Sequence, residues 1–367
     1  MTTSRDLRII AQAASATSGE NPYTKLLYEG MATRPVRIIP YTRHAVATQS
    51  PDVIHIHWPE FLVRWDAGHA TMIADVLKEY LLLKAAKARG ARIVWTAHDL
   101  GAHDRPNAGR VYHWFLKRFN RMVDLIISLS PSALDSVRKR FPDLADTPAR
   151  VVLHSHYIGY YPPEPVTTPT RQDATRPLTF LMFGQLRRYK NVDGLLRAFQ
   201  DRAQARALDG VQDGARGERL VIAGEIRGTS TYRDEIHALA QMPGVDFVEG
   251  RIDDADVAGL HARADVVVLP YDLGTALHSG AAILALSLNT PVVARDTPTM
   301  RDLQAIVGAE WLGLFVGGPD AALEAAVALR AKPRSAAPDL SRMDPERLAR
   351  ETVEAYTAIA VHKRASS

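Results

Sequence analysis

Short apolar segments alternate with segments of helical periodicity along almost the whole chain, and this alternation restricts the fold more than any other feature. Runs such as 7–11, 53–56 and 178–183 are rich in Ile, Leu and other apolar residues. Helical patterns, such as the one over 72–89, separate runs of this kind. Strands that alternate with helices form parallel sheets covered by helices on both faces. The sequence therefore predicts an α/β fold of the doubly wound type.

A break in this alternation divides the chain. The stretch 162–177 is rich in Pro and Thr and has no apolar period, which is typical of a linker. We predict an N-terminal domain at 1–161, a C-terminal domain at 178–344 and a terminal segment, 345–367, whose helix packs back toward the first domain. Two Rossmann-like domains are expected to face a cleft, where the carboxyl ends of parallel strands bind ligands.

Composition excludes several classes of protein. The chain of 367 residues has no cysteine, which excludes disulfides and thiolate metal sites. Its net charge of +4 does not favour a nucleic-acid partner. No stretch approaches the roughly 20 apolar residues of a spanning helix, and the N-terminus lacks signal-peptide anatomy. We expect a cytoplasmic protein, with the inner face of the plasma membrane as the more specific location to be tested.

Two clusters, one of imidazoles and one of carboxylates, contain residue types that bind metals, and we assign neither to a metal. His55 and His57 belong to one strand, and we expect their side chains to point to opposite faces and not to share an ion. The acidic run 253–256 precedes a helix and suits N-capping.

A basic segment follows the strand at 178–183. Gly184 lets a ligand approach the backbone, and Arg187, Arg188 and Lys190 come just before the next helix. Cations at a strand end suit a diphosphate leaving group, which gains negative charge as a bond to it breaks. A solvated basic turn is the alternative.

A second candidate anion site lies after the strand at 266–269. Tyr271 and His278 belong to the loop, Ser279 can cap the following helix, and Gly280 exposes its first N–H groups. An ordinary capped helix is the alternative.

These segments resemble those of the GT-B glycosyltransferases, especially the GT4-like group, in the same order. The matching elements are Asp52–His57, Asp124–Ser130, Gly184–Asn191, Leu220–Gly224, Phe247–Ile252, Ala264–Tyr271 and Asn289–Ala294. The resemblance implies transfer of a hexose from a GDP- or UDP-linked donor to a glycan or polyprenyl-linked acceptor, without a cofactor or metal. It also places Glu225 and Arg251 in the donor-binding set.

The chain departs from the family at charged positions. Gln185 replaces an arginine, and Ala276 and Leu284 replace the two glutamates of the retaining enzymes. A subgroup of bacterial exopolysaccharide transferases, which includes inverting mannosyltransferases of the xanthan type, resembles this chain in its unusual segments. Those segments are Asn21–Tyr28, His57–Glu60, Trp95–Leu100 and His154–Tyr161. We therefore expect inversion, with a catalytically silent subunit as the alternative.

Inverting transfer needs a general base beside the acceptor hydroxyl. Among the residues that follow the N-terminal strands, we expect Asp104 to be this base, and Glu60 if it is not. The resemblance implies that His98 contacts the donor sugar or its phosphate, whereas a purely structural histidine is the alternative. Trp58, next to these residues, is a candidate acceptor contact.

The segment 110–122 interleaves cations with aromatic residues on an expected helix. Trp114, Lys117, Arg118 and Arg121 suit a lipid headgroup layer. The same pattern also fits a helix whose aromatic side chains pack inward, and the sequence leaves both possibilities open.

Overall fold

The computed structural model describes residues 6–14, 22–65, 68–101, 109–162, 176–208, 217–272 and 277–361. These residues form two compact units. Unit 1 contains the described residues up to Ser155, together with 277–278 and 341–361, and unit 2 contains 156–272 and 279–340.

Unit 1 is built on a six-stranded sheet in which every neighbouring pair is parallel. The strand order is β2-β1-β3-β4-β5-β6. The strands are β1 (Leu7–Ala11), β2 (Val36–Pro40), β3 (Val53–Ile56), β4 (Arg92–Ala97), β5 (Leu125–Ser128) and β6 (Ala149–Val151). The helices are α1 (Pro22–Glu29), α2 (Arg43–Thr48), α3 (His69–Ala88), α4 (Gly109–Asn120), α5 (Pro131–Arg140) and the C-terminal α12 (Pro345–Val361).

Unit 2 contains a second six-stranded parallel sheet, with the order β12-β11-β10-β7-β8-β9. Its strands are β7 (Leu178–Phe183), β8 (Glu218–Gly224), β9 (Val245–Glu249), β10 (Val266–Leu269), β11 (Val292–Arg295) and β12 (Leu312–Phe315). Its helices are α6 (Val192–Leu208), α7 (Ser230–Leu239), α8 (Asp254–Arg263), α9 (Gly280–Ser287), α10 (Pro298–Val307) and α11 (Pro319–Arg330). The predicted α/β class with two doubly wound sheets is confirmed.

Each sheet has an apolar core because its strands are buried on both faces. In unit 1, one cluster joins the sheet to residues of α3 and α4 such as Leu83 and Phe115, and another joins it to α1 and α12. In unit 2, Phe180, Leu196 and Leu323 belong to one cluster that the sheet shares with α6 and α11. Continuous apolar strands of this kind are what a covered parallel sheet requires.

Three aspartates fasten the amino-terminal ends of neighbouring strands. Asp52 accepts a hydrogen bond from the Arg8 N–H at 2.8 Å and returns one from its own N–H to the Arg8 carbonyl at 2.8 Å. Asp124 does the same with Ile93 at the start of β4, and Asp265 with Thr179 in β7. Each carboxylate therefore fixes the register of two adjacent strands.

The ends of β7 and β8 approach each other closely. A Cβ atom on Gly224 would lie 1.9 Å from the carbonyl oxygen of Gly184, and both glycines have positive φ angles, +149° and +110°. A side chain on Gly224 would therefore force the Gly184 backbone to move, and the positive φ at both positions favours glycine. The loop after β7 is therefore held against the end of β8.

Several elements were not anticipated from the sequence. Ser130 caps α5, and Pro131 is its first residue. Thr297 and Pro298 begin α10 in the same way. Among the described residues, no helix is long and apolar enough to cross a bilayer.

Candidate functional site

The basic segment of unit 2 contains one buried cation. Lys190 is 9% exposed and ends a 3-10 turn, and Asn191, which follows it, has the left-handed φ of +56°. The lysine Nζ lies 3.5 Å from the position that a Cβ atom on Gly184 would occupy. Only a glycine leaves this space open to a ligand beside the ammonium group.

Burial changes the protonation of this lysine. Loss of solvation, with a smaller contribution from the neighbouring Arg187 charge, lowers the pKa of Lys190 to about 8. No carboxylate of the described residues pairs with it. A bound anion would supply the missing countercharge.

The two arginines beside Lys190 have other partners. The Arg187 guanidinium donates to the Gln185 side-chain oxygen at 3.0 and 3.2 Å. Arg188 forms an ion pair with Glu235 of α7 at 3.0 Å and lies over the Tyr232 ring. The three predicted cations are therefore not equivalent, and Lys190 is the one held inside the site.

The second candidate anion site adjoins the first through Tyr271. Its ring centroid lies 5.3 Å from Lys190 Nζ, and burial raises the pKa of Tyr271 while the Ser279 hydroxyl acts against this effect. Ser279 caps α9 as predicted, because its hydroxyl accepts from the Ala282 N–H at 3.2 Å. Lys190 and the first turn of α9 therefore share one region of unit 2.

The remaining donor-side candidates lie at the rim of these strands. Glu225, after β8, forms an ion pair with Arg227 at 2.8 Å, and Arg251, after β9, is exposed. His278 belongs to unit 1, whereas Ser279 and Gly280 belong to unit 2. Leu284, at the position of a family glutamate, is 6% exposed, and Ala276 lies outside the described residues.

The acceptor-side candidates follow β3 and β4 in unit 1. His57, Trp58, Glu60, His98 and Asp99 line the same pocket. The Trp58 ring stacks on His98 with centroids 4.5 Å apart and an interplanar angle of 22°. The expected base Asp104 lies outside the described residues, so Glu60 and Asp99 are the carboxylates that the structure brings to this pocket.

The expectation that the His55 and His57 side chains point to opposite faces was wrong. Residues two apart in a strand lie on the same face, and the two ring centroids are 4.2 Å apart. Tyr28 connects them, since its hydroxyl lies 3.0 Å from His55 Nδ1 and 2.7 Å from His57 Nε2. Among the described residues, no group of three or more potential ligands is arranged to hold a metal ion.

A chain of histidines continues from this pair. His57 Nδ1 lies 2.9 Å from His98 Nε2, and His98 Nδ1 lies 3.3 Å from His278 Nε2. Burial lowers the pKa of His57 and His98 well below the ordinary histidine value, and that of His278 to about 3. These imidazoles are therefore neutral at physiological pH. Sequence reasoning missed the connecting phenol of Tyr28, which only its position in the apolar face of α1 could have indicated.

The aromatic residues of α4 point mainly inward. Tyr112, Phe115 and Phe119 are buried in the core of unit 1, whereas Trp114 is 38% exposed with Arg118 over its ring. Lys117 is exposed, and Arg121 forms an ion pair with Asp143. Asp253 occupies the N-cap position of α8 but forms no side-chain capping bond.

Both halves of the chain match known protein families. Residues 19–155 match the glycosyl transferase 4-like domain, and residues 177–331 match the glycosyl transferases group 1. The chain is 28% identical to a GDP-mannose:glycolipid 4-beta-D-mannosyltransferase of Xanthomonas campestris pv. campestris over 349 residues, which are 93% of this chain and 89% of that protein.

Solved structures share the fold at low sequence identity. Sucrose-phosphate synthase from Thermosynechococcus elongatus superposes with a TM-score of 0.61 at 17% identity, covering 97% of each chain. A UDP-forming alpha,alpha-trehalose-phosphate synthase from Burkholderia vietnamiensis gives 0.61 at 13% identity, covering 98% of this chain and all of that one. With both sheets and both family matches in agreement, the chain belongs to the GT-B glycosyltransferases with GT4-like domains.

Proposed function

We propose that this glycosyltransferase transfers mannose from GDP-mannose to a glycolipid acceptor with inversion at the anomeric carbon. The choice of donor and acceptor rests on the similarity to the Xanthomonas mannosyltransferases over 93% of the chain. We assign donor binding to the C-terminal domain at 178–344 and acceptor binding to the N-terminal domain at 1–161.

One geometric observation carries the donor assignment. Lys190 is buried beside the open space at Gly184, its Nζ lies 5.3 Å from the Tyr271 ring centroid, and Tyr271 lies near Ser279, the N-cap of α9. A departing nucleoside diphosphate gains charge in the transition state, so a preorganised ammonium group and helix N–H groups stabilise it more than they stabilise the ground state.

The carboxylates support inversion. Leu284 places a buried aliphatic side chain where retaining relatives carry a glutamate, whereas Glu60 lies in the pocket lined by His57 and His98. His57 and His98 are weak bases because their pKa values are lowered and their ring nitrogens are used in hydrogen bonds. We therefore expect a carboxylate to take the proton of the acceptor hydroxyl. We therefore assign this role to Glu60. A silent subunit remains the second candidate, because Leu284 removes a family carboxylate.

Acceptor delivery involves a membrane-facing surface on α3 and α4, which we call the docking face. Ile73, Leu77 and Leu81 recur at helical spacing on α3 and are 42%, 44% and 59% exposed. Tyr80 packs edge-on against Trp114, and Lys117 is exposed on the same helix as Trp114. Apolar side chains flanked by cations bind anionic lipid surfaces, and the docking face has both.

The function itself is tested with purified protein, GDP-mannose and a polyprenyl-diphosphate-linked glycan. We expect release of GDP and a product with a β-mannosidic linkage, identified by the one-bond C–H coupling at the anomeric carbon. An α-linkage would refute inversion. If GDP-mannose binds but is never consumed with a range of glycolipid acceptors, the silent-subunit alternative replaces the enzyme.

Replacement of Lys190 by Ala removes the buried positive charge beside the diphosphate. We expect the KM for GDP-mannose to rise and kcat/KM to fall by roughly 10- to 100-fold, because a hydrogen bond to a charged group is lost. Lys332→Ala, the same substitution at an exposed lysine of unit 2, serves as the control and should leave both constants unchanged. Equal kinetics in the two variants would show that the donor binds elsewhere.

Replacement of Glu60 by Gln keeps the size of the side chain but removes its basicity. We expect kcat to fall by about 10²- to 10⁴-fold with little change in donor affinity, because the carboxylate acts on the acceptor proton. Asp104→Asn and Asp99→Asn are measured in parallel. A large loss in either of these with normal turnover in Glu60→Gln would move the role of base to that residue.

Membrane docking is tested by co-sedimentation with vesicles of phosphatidylcholine, with and without phosphatidylglycerol. We expect binding that requires the anionic lipid and is lost when Leu77 and Lys117 are both replaced by Glu. The control reverses charge at Lys139 and Arg140, exposed residues of α5, and should keep binding. Loss of binding in both double variants would indicate attraction by general charge and not by the docking face.

A further inference from the structure

We call Tyr28, His57, His98 and His278 the histidine relay. Buried hydroxyl groups around it determine which group donates and which accepts in each of its hydrogen bonds. Tyr28 and Tyr356 both approach His55 Nδ1, at 3.0 and 2.6 Å, and His55 Nε2 lies 2.7 Å from the Thr96 hydroxyl. A neutral imidazole has one N–H and one lone pair, and a buried donor left unpaired is costly.

Around His55, the most favourable arrangements of the protons leave one buried hydroxyl proton without an acceptor, and there are two of them. In the first, Tyr356 donates to His55 Nδ1, so the Tyr28 proton has only His57 Nε2 as its acceptor, at 2.7 Å. In the second, His55 carries its proton on Nδ1 and donates to the phenol oxygens, and Tyr28 again donates to His57. If Tyr28 donated to His55 instead, the protons of Tyr356 and Thr96 would both be unpaired. Tyr28 therefore donates to His57 in either favourable arrangement.

The rest of the relay follows from this donation. Because His57 accepts at Nε2, its proton is on Nδ1 and is donated to His98 Nε2 at 2.9 Å. His98 then carries its proton on Nδ1 and donates it to His278 Nε2 at 3.3 Å. His278 must carry its own proton on Nδ1, which is buried and has no hydrogen-bond partner among the described residues.

We propose that the relay fixes His278 as the Nδ1–H tautomer and that this N–H binds an oxygen of the nucleotide-sugar donor, an inference that rests on the proposed function. Both ring nitrogens of His98 are used within the relay, so the donor contact that the family resemblance gives to His98 passes to His278. His278 directly precedes Ser279, the cap of α9, in the chain. Its side chain is partly exposed, whereas Nδ1 itself is buried.

Tyr28, His57 and His98 are thus positioning residues that act through His278. If the His278 ring exchanged tautomers freely, Nδ1 would present a lone pair to the substrate oxygen in some of the molecules. Only molecules with the Nδ1–H tautomer would bind well, so the apparent donor affinity would fall in proportion to their share. Their lowered pKa values, together with ring nitrogens already used in hydrogen bonds, also make His57 and His98 poor bases for the acceptor hydroxyl.

Nitrogen NMR of the full chain, labelled with ¹⁵N-histidine and free of ligand at pH 7.5, tests the tautomer directly. We expect long-range ¹H–¹⁵N correlations to show His278, identified by the loss of its signals in His278→Phe, with a protonated Nδ1 and a bare Nε2. Tyr28→Phe should give mixed tautomers. Tyr356→Phe, which removes another buried phenol but leaves Tyr28 its acceptor, should not. A His278 ring protonated on Nε2, or on both nitrogens, would overturn the relay.

Donor affinity tests the contact with substrate. We expect His278→Phe to weaken GDP-mannose binding by about tenfold or more, because a hydrogen bond to a charged or polar oxygen is lost. His278→Asn carries an amide N–H near the position of Nδ1 and should remain within about threefold of the wild type. Equal losses in both variants, or normal affinity in His278→Phe, would overturn the contact. If the wild type fails to bind GDP-mannose, the proposed function falls together with this contact, while the NMR result on the free protein still decides the relay.

Discussion

A carboxylate fixes the register of each of three parallel strand pairs where the strands begin, two pairs in unit 1 and one in unit 2. Asp52, Asp124 and Asp265 each exchange a pair of hydrogen bonds with the backbone of a neighbouring strand. In a parallel sheet, once the starts are in register, the carboxyl ends are in register as well. Loops that follow β3 and β4, or β7 and β10, are consequently brought to one edge of their own sheet, where polar side chains can meet.

Because of this constraint, several residues of the elements that resemble the family hold the fold together by contacts with the backbone. The aspartates of the family elements at 52, 124 and 265 bind backbone N–H groups of neighbouring strands, and Gly224 packs on the backbone of Gly184. At these positions, the resemblance in sequence therefore indicates a shared fold. The candidate site residues, including Lys190, His57 and His98, lie in or beside the loops that this framework positions, and many of their partners come from distant parts of the sequence.

The sequence predicted the strands well because buried parallel strands are short, continuous apolar runs; the bounds of β1, β7 and β10 agree with the structure. It missed α5 and α10, although each begins with an N-cap residue followed by proline, Ser130-Pro131 and Thr297-Pro298. Site geometry was harder to predict. The pairing of Arg188 with Glu235 spans 47 residues, and the contact between Tyr356 and His55 spans 301. No local pattern encodes such contacts, whereas the capping of α9 by Ser279 depends on adjacent residues and was predicted.

Charge balance explains why Lys190 differs from the other cations of the candidate site in unit 2. With Leu284 in place of a glutamate, and with Arg188 neutralised by Glu235, Lys190 is held in a poorly solvated position without a carboxylate partner among the described residues. Its pKa is lowered because the buried ammonium group loses solvation and lies near the Arg187 charge. A bound diphosphate would supply the countercharge and raise that pKa again, so part of the attraction for the donor comes from relief of this penalty.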